Sequence, residues 1–175
     1  MFKTILAATD GSDHAAKAVE IASDLAVRNG ARLVIAHVIN EAEPLEALRR
    51  FAETEHLHTS ETPLRVRSIE ATPHGPVPVR VDEQTAVDVP AARREIGQRV
   101  LREAQGLARE RGVEAAACLL LEGDAADQIV DGARDRDADA IVLGSRGLGN
   151  LKGALVGSVS HKVCDMTECT CITVN

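Results

Sequence analysis

The chain has 175 residues, 45% of them apolar, a size and composition that fit one domain with a single sizeable core. A net charge of −7 opposes nonspecific attraction to nucleic acid or to an anionic membrane. With two Phe and no Trp or Tyr there is nothing for unpaired bases to stack on, so nucleic-acid binding is not expected, and any adenine ring must sit between aliphatic groups and backbone.

Thr4 to Thr9 reads as a buried strand, and Asp10-Gly11-Ser12-Asp13 turns the chain and offers helix N-caps. Ala15, Ala18, Val19, Ala22, Leu25 and Ala26 then recur at helical spacing, and Asn29-Gly30 ends that helix. Arg32 to Val38 is a second strand. No stretch approaches the ~20 apolar residues needed to span a bilayer. The opening run reaches Asp10 and Gly11 too soon for a signal peptide, so a cytoplasmic location is expected.

The stretch 40–90 reads as an insertion. Leu45 to Glu53 could form a helix, and Arg65 to Ile69 and Val77 to Val81 alternate as strands do, around the turn-forming Thr72-Pro73-His74-Gly75-Pro76. A protruding hairpin and a long loop both fit, and either could carry a partner contact. His56-x-His58 has no third ligand nearby and reads as solvated.

A second alternation begins near Ala91, where Ile96, Val100, Leu101, Ala104, Leu107 and Ala108 mark one face of a helix ending at Gly112. Ala115 to Leu121 is a strand, and Asp124 caps a short helix carrying Ile129, Val130 and Ala133. Ala140 to Leu143 is another strand, Ser158 to about Met166 a helix, and Thr170 to Val174 the last strand. Strands alternating with helices imply an α/β fold, a doubly wound parallel sheet with helices on both faces.

The chemistry concentrates in Gly144 to Ser160. Five glycines between Gly144 and Gly157 permit close backbone approach to a ligand, at the carboxyl end of a strand where open parallel sheets bind. The N–H groups of Ser158, Val159 and Ser160 at a helix start, with two hydroxyls, make a phosphate cradle, to which Arg146 and Lys152 could add charge. The alternative is a surface loop whose glycines only serve turns. A P-loop is absent because no glycine pair is followed by the required Lys, and the dinucleotide fingerprint fails because Lys152 stands where its third glycine belongs.

Gly144, Gly147, Gly157 and Ser158 match, without gaps, the pattern G-x2-G-x9-G-[ST]. With the opening Ile5-Leu6-Ala7-Ala8-Thr9-Asp10-Gly11-Ser12, the strand Leu33 to Val38 and the run Glu122-Gly123-Asp124, this resembles the ATP-binding subgroup of the universal stress protein family, over roughly residues 1–40 and 95–175. The resemblance implies one domain with a five-stranded sheet of order 3-2-1-4-5, binding ATP (or ADP or AMP) with Mg²⁺ through the phosphates. It also implies a homodimer through the last strand. Carried over by position, Ala8 and Asp10 line the first-strand pocket, Val38 meets adenine through its backbone, and Leu143 and Gly144 form the ribose edge. Arg146, Gly147, Gly157, Ser158, Val159 and Ser160 are the implied phosphate contacts.

Two features depart from the family: the length of the stretch after Asn40, and a last strand made more polar by Thr170 and Cys171. The cysteines, Cys118, Cys164, Cys169 and Cys171, are expected as reduced thiols, with a soft-metal or redox site from Cys164, Cys169 and Cys171 as the alternative. Asp10 reads as an adenine, ribose or Mg²⁺ contact or else as a helix cap; His14 reads as solvated and His37 as a core-edge residue. A nucleotide-responsive binding protein, signalling to a protein partner or a second copy of itself, is the function expected. A slow ATPase or self-phosphorylation on Ser145, Ser158 or Ser160, and a nucleotide-free scaffold using 40–90, are the alternatives.

Overall fold

The computed structural model describes residues 1–40, 89–147 and 157–175. Expectations for 41–88, including the helix, the hairpin and His56-x-His58, lie outside the described residues, as do Lys152 and the middle of the glycine-rich loop. Residues 1–42 and 94–175 belong to the compact unit that carries the sheet, and the packing below concerns that unit.

Among the described residues nine elements follow in chain order: β1 (Thr4–Ala8), α1 (Asp13–Asn29), β2 (Arg32–Ile39), α2 (Val89–Glu110), β3 (Ala117–Glu122), α3 (Ala125–Asp135), β4 (Ala140–Gly144), α4 (Ser158–Met166) and β5 (Thr170–Val174). Every strand pairing is parallel and the order is β3-β2-β1-β4-β5, as the resemblance implied. The central strand β1 is buried along its whole length, which fits the uninterrupted apolar run from Ile5 to Ala8.

Each face of the sheet has its own aliphatic core. Ile5, Ala7, Leu33, Ile35 and Val142 meet α1 and α2, where Ala18, Val19, Ala22, Leu101 and Ala104 face inward. Leu6, Val34, Ala36, Ile141 and Leu143 meet α3 and α4 through Ile129, Val130, Ala133 and Val163. The inward stripes of alanine let the helices lie close to the sheet without aromatic filler. Gly132 on α3 works the same way, since a Cβ there would sit 3.3 Å from Leu121 Cδ1.

The punctuation is local chemistry. Ser12 caps α1, its hydroxyl accepting from Ala15 N at 3.3 Å, and Gly30 closes that helix at φ 62°, a left-handed geometry that favours glycine. Asp124 caps α3 by accepting from Ala126 N and Asp127 N. At the amino end of the sheet, Asp139 Oδ2 accepts from Lys3 N at 2.6 Å and Thr4 N at 2.9 Å, clasping the starts of β1 and β4. Among the described residues no helix is long and apolar enough to cross a membrane.

Candidate functional site

In this strand order β1 and β4 lie side by side at the centre, while the chain leaves β1 toward β2 and leaves β4 toward β5. The chain therefore leaves these two strands in opposite directions, and the crevice position of open parallel sheets lies above their carboxyl ends. Ala8 and Leu143 are register partners at its floor, both buried. Val38 stands on the neighbouring strand β2, half-buried and opposite Leu121 of β3.

The loop after β1 is organised by Asp10. Its Oδ1 accepts from Ser12 N at 3.0 Å and from Ser12 Oγ at 2.6 Å, and Ser12 in turn caps α1. The cap expected as one role for Asp10 is thus performed by Ser12, with Asp10 orienting it. His37, half-buried, places Nδ1 2.8 Å from Thr9 O, the core-edge position expected of it. His14, expected to be solvated, is partly exposed at the start of α1.

The glycines of the second loop stand where backbone approaches backbone. A Cβ at Gly144 would lie 3.0 Å from each of Ala15 N, His14 C and Arg146 O. At Gly147 it would overlap Asp10 Oδ2, so the loops after β1 and β4 meet there. At Gly157 it would lie 3.1 Å from Ser145 O. These contacts bring Asp10, Gly144, Gly147 and Gly157 together at one end of the sheet.

Ser145 ties the loop to the frame. Its N–H donates to Val174 O at 2.7 Å, its carbonyl accepts from Gly157 N at 2.6 Å, and its hydroxyl donates to Asn175 Oδ1. The Ser160 hydroxyl donates to Ser145 O at 3.1 Å and to Gly157 O at 3.0 Å, and both serines are almost fully buried. What Ser160 retains for a ligand is its N–H, while Ser158 and Val159 are exposed. Among the described residues, the N–H groups of Ser158, Val159 and Ser160 meet no acceptor, as a helix start dictates.

The helix start itself carries no opposing charge. No acidic residue lies in the first turn of α4, and Arg146 is exposed beside it. Lys162, further along α4, pairs with Asp124 at 3.0 Å and Asp127 at 3.1 Å. These contacts hold the Asp124 carboxyl below the usual carboxylate range and push the Lys162 ammonium up, the hydrogen bond between them being the largest cause on both sides. That lysine links the exposed faces of α4 and α3.

The family model described as Universal stress protein family matches residues 1–175. The chain belongs to the universal stress protein family. Universal stress protein YxiE of Bacillus subtilis is 32% identical over 174 residues, covering 99% of each chain. Among solved structures, a universal stress protein in complex with cAMP shares 23% identity at a TM-score of 0.63, covering 99% of this chain and 97% of that one. A universal stress protein from Archaeoglobus fulgidus in complex with dAMP shares 17% at a TM-score of 0.50, covering 100% and 98%.

In this universal stress protein the expectation of reduced thiols is overturned for two cysteines. Cys164 and Cys171 form a disulfide, leaving Cys118 and Cys169 free. The soft-metal alternative falls with it, and no group of three or more His, Cys, Asp or Glu among the described residues could hold a metal ion. Sequence reasoning also missed Ser145 as the hub of the loop. The one signal available was a small polar residue directly after a buried strand, which is common in turns and carries no information about its partners.

Proposed function

We propose that this universal stress protein binds an adenine nucleotide in the crevice above β1 and β4, and that the bound state is read out as a change of conformation or assembly. The observation that carries this reading is the row of N–H groups at Ser158, Val159 and Ser160, which meet no acceptor among the described residues, beside the close-packed glycines Gly144, Gly147 and Gly157. Room gained by leaving out side chains lets backbone donors approach a phosphate directly. The cAMP and dAMP complexes of structurally similar family members support adenylates as the ligand class.

The residues fit such a ligand by position. Ala8, Leu143 and Val38 offer aliphatic and backbone surface for adenine and ribose, in a chain without Trp or Tyr. Arg146, exposed beside the helix start, adds a positive charge to the phosphate end. Asp10 stands against Gly147, where a cation between carboxylate and phosphate, or a hydroxyl or amine donor from the ligand, would suit it. This favours Mg²⁺ carried by the phosphates of ATP or ADP, or a sugar or base contact for AMP. This chain's groups bind and orient the nucleotide. A cytoplasmic homodimer pairing through β5 is part of the same proposal.

The decisive variant is Ser158→Pro. Gly157 has φ −71° and ψ 156°, the extended geometry that proline requires of its predecessor, and Ser158 is the first helical residue, where proline is welcome. The substitution removes one N–H and keeps the helix. Calorimetric titration with Mg-ATP, ADP and AMP is expected to show affinity about 10- to 100-fold weaker than wild type. Ser158→Ala, which keeps the N–H, is expected to lose much less. Equal affinity in Ser158→Pro and wild type, or no heat with any adenylate, overturns the proposal.

A further inference from the structure

Outside the crevice, the chemistry of this chain concentrates where α4 turns into β5. Thr167 N donates to Val163 O at 2.9 Å, ending the helix, and the chain reverses within three residues into the edge strand. That reversal lays Cys164, in the last turn of α4, against Cys171, the second residue of β5. Their disulfide spans a Cα–Cα distance of 5.5 Å and a sequence separation of 7. A third sulfur stands beside it: Cys169 is a free thiol, half-buried, with Sγ 3.2 Å from Thr167 Oγ1. Cys169 and Cys171 both pack against the core cluster that includes α3 and α4.

The other anchors of α4 are few. It is a nine-residue helix, too short to hold its shape alone, and Val163 is its only fully buried aliphatic residue. Ser160 ties its first turn to Ser145, and the Lys162 ion pairs with α3 are solvent-exposed and therefore weak. The covalent link to β5 is consequently a large share of what holds the carboxyl end of this helix. Cys164 and Cys171 are both partly exposed at the surface of this fold. Disulfides that small thiols can reach are the labile ones, and in a reducing medium they cycle.

We propose that Cys164 and Cys171 are a reversible thiol–disulfide couple, operated by small-molecule disulfides and thiols, whose state sets how firmly α4 is held to the sheet. In the oxidising direction the thiolate of one cysteine attacks a small disulfide RSSR, forming a mixed disulfide and releasing one thiolate RS⁻. The second cysteine thiolate then attacks the protein sulfur of that mixed disulfide, closing Cys164–Cys171 and releasing the second RS⁻. The two protein thiols lose two protons and two electrons, and RSSR becomes two RSH. Excess RSH runs the same steps backward. Because the first turn of α4 carries the N–H groups of the crevice, the couple also tunes nucleotide affinity, a consequence that rests on the reading above.

The test has two arms that need no nucleotide. Protein is equilibrated across ratios of reduced to oxidised glutathione, quenched with iodoacetamide and weighed intact. Reversible passage between two labelled thiols (Cys118 and Cys169) and four is expected. Hydrogen–deuterium exchange of residues 158–166 is then compared between the two forms, and the reduced form is expected to exchange faster by about tenfold or more. The double variant Cys164→Ser, Cys171→Ser should exchange like the reduced form in every buffer. Absence of closure at all ratios, equal exchange in both forms, or a redox response that persists in the double variant overturns the proposal. Calorimetry of both forms with Mg-ATP completes it: weaker binding by the reduced form supports the coupling, equal finite binding overturns the coupling. If neither form binds, the nucleotide reading fails while labelling and exchange still decide the couple.

Discussion

Gly144→Ala tests whether the crevice is built by backbone contact between the end of β4 and the start of α1. The new methyl would stand 3.0 Å from Ala15 N, His14 C and Arg146 O, all of them main-chain atoms that cannot swing aside. Non-bonded carbon contacts are most favourable at about 3.5–4.0 Å, so β4 and α1 would have to part by about half an ångström. Overpacking of this kind costs about 1–3 kcal/mol. The stiffer unfolded chain returns about 0.4–1 kcal/mol, leaving a net loss of about 1–2 kcal/mol. For a chain of this length that lowers Tm by about 2–8 °C. Gly106→Ala is the matched control, because Gly106 lies within α2 and a Cβ there meets nothing within 4 Å. It should gain about 0.5–1 kcal/mol from helix propensity alone. Urea and thermal unfolding followed by far-ultraviolet circular dichroism suit a chain that lacks Trp and Tyr. A Gly144→Ala variant as stable as wild type, alongside a stabilised Gly106→Ala, would refute the contact.

Ser160→Ala removes a hydroxyl that donates to two carbonyls, yet Ser145 O keeps Gly157 N and Gly157 O keeps His161 N. No acceptor is orphaned, so urea denaturation should show a loss of only about 1 kcal/mol. Cys171→Ser opens a short loop and is expected to cost about 2–3 kcal/mol on the chain-entropy account, with the urea midpoint of the variant no longer sensitive to dithiothreitol. Asp139 is held below the usual carboxylate range chiefly by the Thr4 and Lys3 N–H groups. Its folded pKa is lowered, so its stabilising share is present above the unfolded value and lost as pH falls through the folded one. Asp139→Asn should therefore flatten the acid limb of stability below about pH 4, and an unchanged limb would count against the clasp.

How much was legible depended on how local the cause was. The inward stripe of α1, from Ala15 to Ala26, and the capping role of Asp124 follow from spacing and from side chains that reach backbone two or three residues away. The crevice residues were legible by a different route, because Gly144, Gly147, Gly157 and Ser158 match a family pattern, and the fold sets Gly144, Gly147 and Gly157 at the β1 and β4 ends with Asp10. The pattern does not say why glycine is needed at each place, and that reason is the approach of a second chain segment.

The sequence by itself determined the alternation of strands and helices, the aliphatic character of the core, and the helix start that follows the glycine-rich run. Each of these is set by periodicity, composition or turn chemistry within a few residues. Only the tertiary structure decided that Ser145 pins the loop to the end of β5, that Ser160 turns its hydroxyl away from the crevice, and that Cys164 meets Cys171. Those pairings depend on which groups the packing of α4 against the sheet brings within bonding distance. A linear pattern of residues does not hold that distance.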